Sequence, residues 1–151
     1  KKFRDLDEYG KESVEAVLDG KKAILVKTIP LFPAAAGPGD LIEEVYGHYE
    51  VSADSKAAFA VRVSGDSMEP ELHDGEVVLC ERRKPKDGEL AVIMVNGFLL
   101  VKQYITDGKN IYLRSLNRER KDLDVDIWAS GNDTVVGYGT VIHKRIPLVK
   151  Q

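Results

Sequence analysis

The stretch Val63-Ser64-Gly65-Asp66-Ser67-Met68-Glu69-Pro70 holds the clearest chemical potential in this sequence. A strand-like run ends there, and Ser67 follows in a tight turn that contains a glycine and stops before a proline. Such a turn exposes a hydroxyl beside free backbone N–H groups. The N–H groups of Ser67 and Met68 are then candidates to hold the oxyanion of an acyl transfer, an effect of ~2.7–4 kcal/mol per donor. The competing reading is a turn serine that hydrogen-bonds its own backbone.

A serine nucleophile needs a base. His48, His73 and His143 sit in no triad-like motif and read as surface or turn residues. Lys102 follows the apolar run Phe98-Leu99-Leu100-Val101, and strand alternation puts it on one face with Phe98, Leu100 and Tyr104. Desolvation on such a face lowers an ammonium pKa from its usual ~10.4 and makes a neutral amine accessible. Against this stands the ordinary role of a strand lysine, a solvent-facing charge at a sheet edge. Asp122, Asp124 and Asp126 read as a solvent-facing strand or turn rather than a metal site, Cys80 as a small core residue, and Trp128 as a packing residue.

The elements that must position these groups are mostly short strands. Phe59, Val61 and Val63 alternate with Ala60, Arg62 and Ser64, while Val77–Cys80 and Ala91–Val95 read as buried strands. Asn96-Gly97 between Val95 and Phe98 predicts a two-residue hairpin, and Asp107-Gly108 predicts a second. The run from Thr134 to Ile142 predicts another strand, whose glycines invite a bend or a close backbone contact. Upstream, Asp5 and Glu8 resemble a capping box, and Leu6, Gly10, Val14, Val17 and Leu18 share a helical face that Gly20 would end. Pro30 to Asp40 reads as an extended or turning linker rich in proline, glycine and alanine. The fold expected is mainly β, with a helical lead-in.

With 151 residues the chain can build one cored domain. Its net charge of −3 offers no footprint for nucleic acid. A single cysteine allows no internal disulfide, which suits a reducing cytoplasm. No apolar run approaches the ~20 residues of a membrane span, so no membrane partner is expected. The sequence begins at Lys1 without a methionine and is expected to be a piece of a longer protein.

Two of these regions together carry a resemblance. Ser64-Gly65-Asp66-Ser67-Met68-Glu69-Pro70, followed 35 residues after Ser67 by Leu100-Val101-Lys102-Gln103-Tyr104, resembles the self-cleaving domain of LexA, UmuD and CI-type phage repressors, the S24 peptidases. His73-Asp74-Gly75-Glu76-Val77-Val78 is similar to the family's turn and following strand, with Glu76 where aspartate is frequent. The resemblance runs from about Ala35 to Val149. It implies that Ser67 is the nucleophile, that Lys102 is the base, and that the cut falls between Ala36 and Gly37. Pro38 departs from a freely bending cleavage loop, because its ring fixes φ just after that bond.

The resemblance also implies a small twisted-sheet or barrel-like LexA-type domain after a short N-terminal helix. Residues 1–22 would be a helical linker from a missing N-terminal DNA-binding domain, 23–40 the cleavage-site segment, and 41–151 the Ser/Lys autoprotease and dimerisation domain. A homodimer is implied, with Val135–Val141 as a usable pairing strand. A RecA filament would act as co-protease in the SOS response, DNA would be contacted only through the missing domain, and no cofactor is called for. The alternatives are a UmuD-like polymerase accessory protein, a type I signal peptidase-like enzyme with its similar serine motif, and a repressor domain that only dimerises. A Gly-Asp-Ser esterase is disfavoured, because Thr140 stands where that motif's aspartate would precede His143.

Overall fold

The computed structural model describes residues 14–19, 22–34 and 47–145. Its strands are β1 (Val14–Asp19), β2 (Lys22–Pro33), β3 (Gly47–Ser52), β4 (Phe59–Arg62), β5 (Val77–Glu81), β6 (Leu90–Val95), β7 (Phe98–Thr106), β8 (Ile111–Arg114), β9 (Val125–Ile127) and β10 (Val135–Arg145). They form one mixed sheet in the order β1-β2-β4-β5-β10-β6-β7-β8-β9, with β3 also on β2. Among the described strands only β2 and β4 pair in parallel. The chain is therefore mainly β, as its short alternating runs predict.

Both hairpin signals act as expected. Val95 pairs with Phe98, and Asn96 and Gly97 between them take φ values of 51° and 89°, the left-handed pair that a two-residue turn requires. The Asp107-Gly108 turn joins Thr106 to Ile111. Asp107 Oδ1 accepts the N–H groups of Lys109 and Asn110 there.

The lead-in differs from the helical expectation. Val14–Asp19 is a strand that pairs antiparallel with Lys22–Lys27, from Val14↔Lys27 to Asp19↔Lys22. Val14, Val17 and Leu18 follow the helical spacing, but a helix this short gains little alone. Pairing with β2 satisfies the backbone instead, and Gly20, the expected helix stop, lies outside the described residues. The remainder of the expected helix, from Asp5, lies outside the described residues. The linker reading also fails over Pro30–Pro33. These residues finish β2, with Leu31 and Phe32 buried and the Phe32 ring edge-on to Phe59 at 6.2 Å.

Both faces of the sheet's middle are covered. Phe59, Val61 and Val63 face one apolar cluster with Met68, Leu72, Leu99 and Val101, while Ala60 faces another with Ile29, Val77 and Leu79. This is why β4 is buried at successive positions despite its alternation. The first cluster draws side chains from β2 through β7, so the sheet must curl around it. A flat sheet would hold β4 and β7 about 19 Å apart, four steps of ~4.8 Å.

The curl is built largely in β10. Its first half pairs with β6 and its second half with β5, Thr140 pairs with both, and register shifts fall at Val135/Gly137 and Val141/His143. Gly139 sits at this corner, where a Cβ would lie 2.5 Å from Phe59 Cζ. The glycine allows the close backbone contact its position suggests. Val135–Thr140 thus pair with β6, and pairing with β5 starts only at Thr140, so Val135–Gly139 have a strand partner on one side only among the described residues.

Candidate active site

The Ser67 turn is an excursion between β4 and β5, closed at its base by backbone bonds. Val63 N–H donates to the Glu76 carbonyl and Gly75 N–H to the Val63 carbonyl, both at 2.8 Å. Gly75, at φ 89°, makes the return turn, and Asp74 Oδ1 accepts Gly65 N–H at 2.8 Å. Buried Met68 and Leu72 anchor the excursion in the core and leave Gly65 and Asp66 exposed beside Ser67. The sequence thus folds the serine into a rigid corner rather than a loose loop.

The curled sheet brings that corner to β7. Lys102 Nζ lies 3.0 Å from Ser67 Oγ and 3.0 Å from Ser115 Oγ. Lys102 is 6% exposed, Ser67 9% and Ser115 1%, so the three groups share a nearly dry pocket. Burial pushes the Lys102 ammonium below its usual pKa, and the nearby positive charge of Arg120 pushes the same way. The charges of Asp124 and Asp122 oppose this without reversing it. Lysine in this setting can exist neutral next to a hydroxyl, which is what proton abstraction requires.

The pair stands in a cleft of about 300 Å³, walled by the Ser67 turn, by Phe98, Leu100 and Val101 of β7, and by the segment from Arg120 to Val125. Ala34, the last described residue before position 47, also lines it, held to the Arg62 carbonyl by its N–H at 3.0 Å. Among the described residues no acceptor takes the N–H of Ser67 or of Met68. Ala36 and Gly37 lie outside the described residues. His48, His73 and His143 are exposed, and none lines the cleft.

Two residues that sequence reasoning passed over belong here. Ser115 follows β8 directly and gives Lys102 a second hydroxyl partner beside Ser67. Asn117 caps the 3-10 turn Arg118–Leu123 and also bonds the Ser67 turn. An asparagine ahead of Arg118-Glu119 is a cap signal that could have been read locally, but nothing local joins it to a serine about fifty residues away. The three aspartates are used as ion-pair partners: Asp122 with Arg120, Asp124 with Arg118, Asp126 with Arg114. Burial opposes the Asp124 charge, yet bonds from Ser115 N–H and Arg118 keep its carboxyl below the usual range. Cys80 is fully buried, and desolvation pushes its thiol far up. Trp128 is half exposed, packed edge-on against Tyr112 at 5.7 Å.

A curled, mainly β domain with a serine corner against a buried lysine defines a class. The profile of the Peptidase S24-like family matches residues 30–142, and the chain belongs to that family. It is 34% identical over 95 residues to an uncharacterised HTH-type transcriptional regulator of Coxiella burnetii, covering 54% of this chain and 44% of that protein. It is 36% identical over 89 residues to a LexA repressor of Desulfatibacillum aliphaticivorans, covering 56% and 44%. It is 35% identical over 78 residues to the repressor protein CI of Enterobacteria phage phi80, covering 50% and 33%. The chain thus spans less than half the length of these relatives. No helix among the described residues is long and apolar enough to cross a membrane.

Proposed function

We propose that this chain is a Ser/Lys peptidase that cuts its own backbone between Ala36 and Gly37, as the protease part of a LexA- or CI-like transcriptional regulator. The observation that carries this reading is the 3.0 Å contact between Lys102 Nζ and Ser67 Oγ inside a cleft that Ala34 lines. The Ala36 carbonyl is two residues beyond Ala34, within ~7 Å of extended chain. Substrate and enzyme are then one molecule, so the attack needs no diffusional encounter.

In the reaction, neutral Lys102 takes the Ser67 proton while Oγ attacks the Ala36 carbonyl carbon. The N–H groups of Ser67 and Met68 hold the resulting oxyanion. As the C–N bond breaks, Lys102 returns the proton to the Gly37 nitrogen, leaving Ala36 esterified to Ser67. Lys102 then deprotonates a water that hydrolyses the ester. The relatives' printed names, repressors and an HTH-type regulator, support control of transcription as the purpose of the cut. By family resemblance, a RecA filament triggers it in the SOS response and the regulator acts as a homodimer, which suits a palindromic operator.

The test is incubation of the purified chain across alkaline pH, with mass spectrometry of the products. Expected are an N-terminal piece ending at Ala36 and a C-terminal piece starting at Gly37. Ser67→Ala and Lys102→Ala should each abolish the cut while keeping a cooperative melting transition. Gly37→Glu should block it with the dyad intact, because a side chain there crowds the approach of Oγ. A wild-type chain that stays whole at every pH, with and without activated RecA, would remove the peptidase reading.

A further inference from the structure

Asn117 stands behind the Ser67 turn and grips it with two atoms. Its backbone N–H donates to the Ser67 carbonyl at 2.9 Å, and its Nδ2 donates to the Asp66 carbonyl at 3.0 Å. The amide orientation follows from its other end, where Oδ1 accepts the Glu119 N–H at 3.1 Å. Gly65, Asp66, Ser67 and Met68 all wall the cleft, whereas Asn117 is not among the described residues that do.

The geometry of the peptide unit turns these tethers into an aiming device. Both peptides, from Asp66 to Ser67 and from Ser67 to Met68, are trans. In a planar trans peptide the carbonyl and the following N–H point in opposite directions. Holding the Asp66 carbonyl therefore directs the Ser67 N–H away from Asn117. Holding the Ser67 carbonyl does the same for the Met68 N–H. Both donors are without an acceptor among the described residues, and both face away from Asn117, which shares the Asp66 carbonyl with the Glu69 N–H at 3.2 Å and alone holds the Ser67 carbonyl among the described residues.

We infer that Asn117 is the positioning residue of the oxyanion hole, tethering two successive carbonyls so that the Ser67 and Met68 N–H groups are aimed into the cleft. This rests on the peptidase reading above. Two further contacts restrain the turn without fixing these planes: Asp74 holds Gly65 N–H, and Arg120 holds the Asp66 side chain at 2.8 Å. The longer Glu69 N–H bond to the Asp66 carbonyl lies within the turn and supports that plane from inside, while Asn117 ties it to the neighbouring segment. Asn117 touches no reacting atom. It acts by sparing the two donors from reorienting as charge develops on the Ala36 oxygen, where preorganisation has its effect.

The experiment compares wild type and Asn117→Ser as full chains, recording self-cleavage rate from neutral to strongly alkaline pH. A serine still caps the Glu119 N–H but is too short to reach the Asp66 carbonyl. The expected result is a plateau rate lower by about ten- to a hundredfold, short of the ~10²–10³ of losing a donor outright. The midpoint of the pH profile, which Lys102 sets, should stay in place. Asn117→Asp, which keeps the shape and the capping oxygen but loses the donor, should lower the plateau likewise while its added charge moves the midpoint up, and it replaces the serine variant if that one melts early. A wild-type plateau in these variants overturns the inference, as does a shifted midpoint with an unchanged plateau, which would put the effect on Lys102. If wild type itself never cleaves, the peptidase reading has failed and this inference falls with it.

Discussion

Lys102 Nζ lies as close to Ser115 Oγ as to Ser67 Oγ, 3.0 Å in each case, so the lysine is held between two hydroxyls. Ser115 is itself fixed. Its N–H donates to Asp124 Oδ1 at 2.8 Å, and its carbonyl accepts from Arg118 at 2.7 Å. The amine therefore has little freedom to swing away from Ser67.

Ser115→Ala tests what that restraint is worth. A hydrogen bond to a charged group contributes ~1.5–3 kcal/mol, so its loss should slow cleavage roughly tenfold or more. Removing an acceptor of the ammonium also disfavours the charged form, so the pH midpoint should move down as the plateau falls. Ser115→Thr, which keeps the hydroxyl, should retain most of the rate. Single-turnover cleavage followed by gel densitometry across pH separates the two effects.

The second prediction concerns the charges around Lys102. Only its neutral form can accept the Ser67 proton, so below its depressed pKa the rate should rise about tenfold per pH unit, then level off. Asp124 and Asp122 favour the ammonium, and Arg120 disfavours it. Asp124→Asn should accordingly shift the profile to lower pH and speed cleavage at neutral pH. Arg120→Gln should shift it to higher pH and slow cleavage there. Opposite displacements of the two profiles are the expected outcome; shifts of the same sign would mean that electrostatics at Lys102 do not set the profile.

What the sequence made legible, and what it hid, divides along a physical line. Ser67 and Lys102 could be picked out because each sits in a suggestive local pattern, a turn that exposes a hydroxyl and an apolar strand that desolvates an amine, and because the two patterns together resemble a known family. The Asn96-Gly97 and Asp107-Gly108 hairpins were legible for the same reason, since turn chemistry is set by the residues in the turn. Ser115 and Asn117 were not, because each acts only where the curled sheet brings β8 and its following turn against the Ser67 corner. Val14–Asp19 misled because its helical spacing spans too few residues to hold a helix without tertiary support. The decision lay with β2, a partner the local pattern cannot see. The Val135–Val141 run was legible as a strand, but its change of partner at Thr140 from β6 to β5 was not. Strand partners are a property of the sheet rather than of the segment.

The last prediction tests the bend that brings β4 and β7 together. Gly139 lies at the corner of β10, where a Cβ would meet Phe59 Cζ at 2.5 Å and Cε1 at 3.0 Å, with the Glu81 carbonyl at 3.4 Å. Phe59 is buried and packed edge-on against Phe32, so its ring has little room to retreat. Gly139→Ala should therefore destabilise the fold by about 1–3 kcal/mol, in the range of overpacked cores. For a chain of this size that corresponds to a melting temperature lower by ~2–4 °C per kcal/mol. Phe59→Leu, which withdraws the clashing atoms, costs stability alone through the cavity it leaves. In the double variant the added methyl should partly fill that cavity, so the two losses should sum to less than their separate values. Thermal unfolding of the four chains gives the coupling directly. Additive losses would show that the Gly139 backbone does not depend on its contact with Phe59, and that the corner is held by the register shifts of β10 alone.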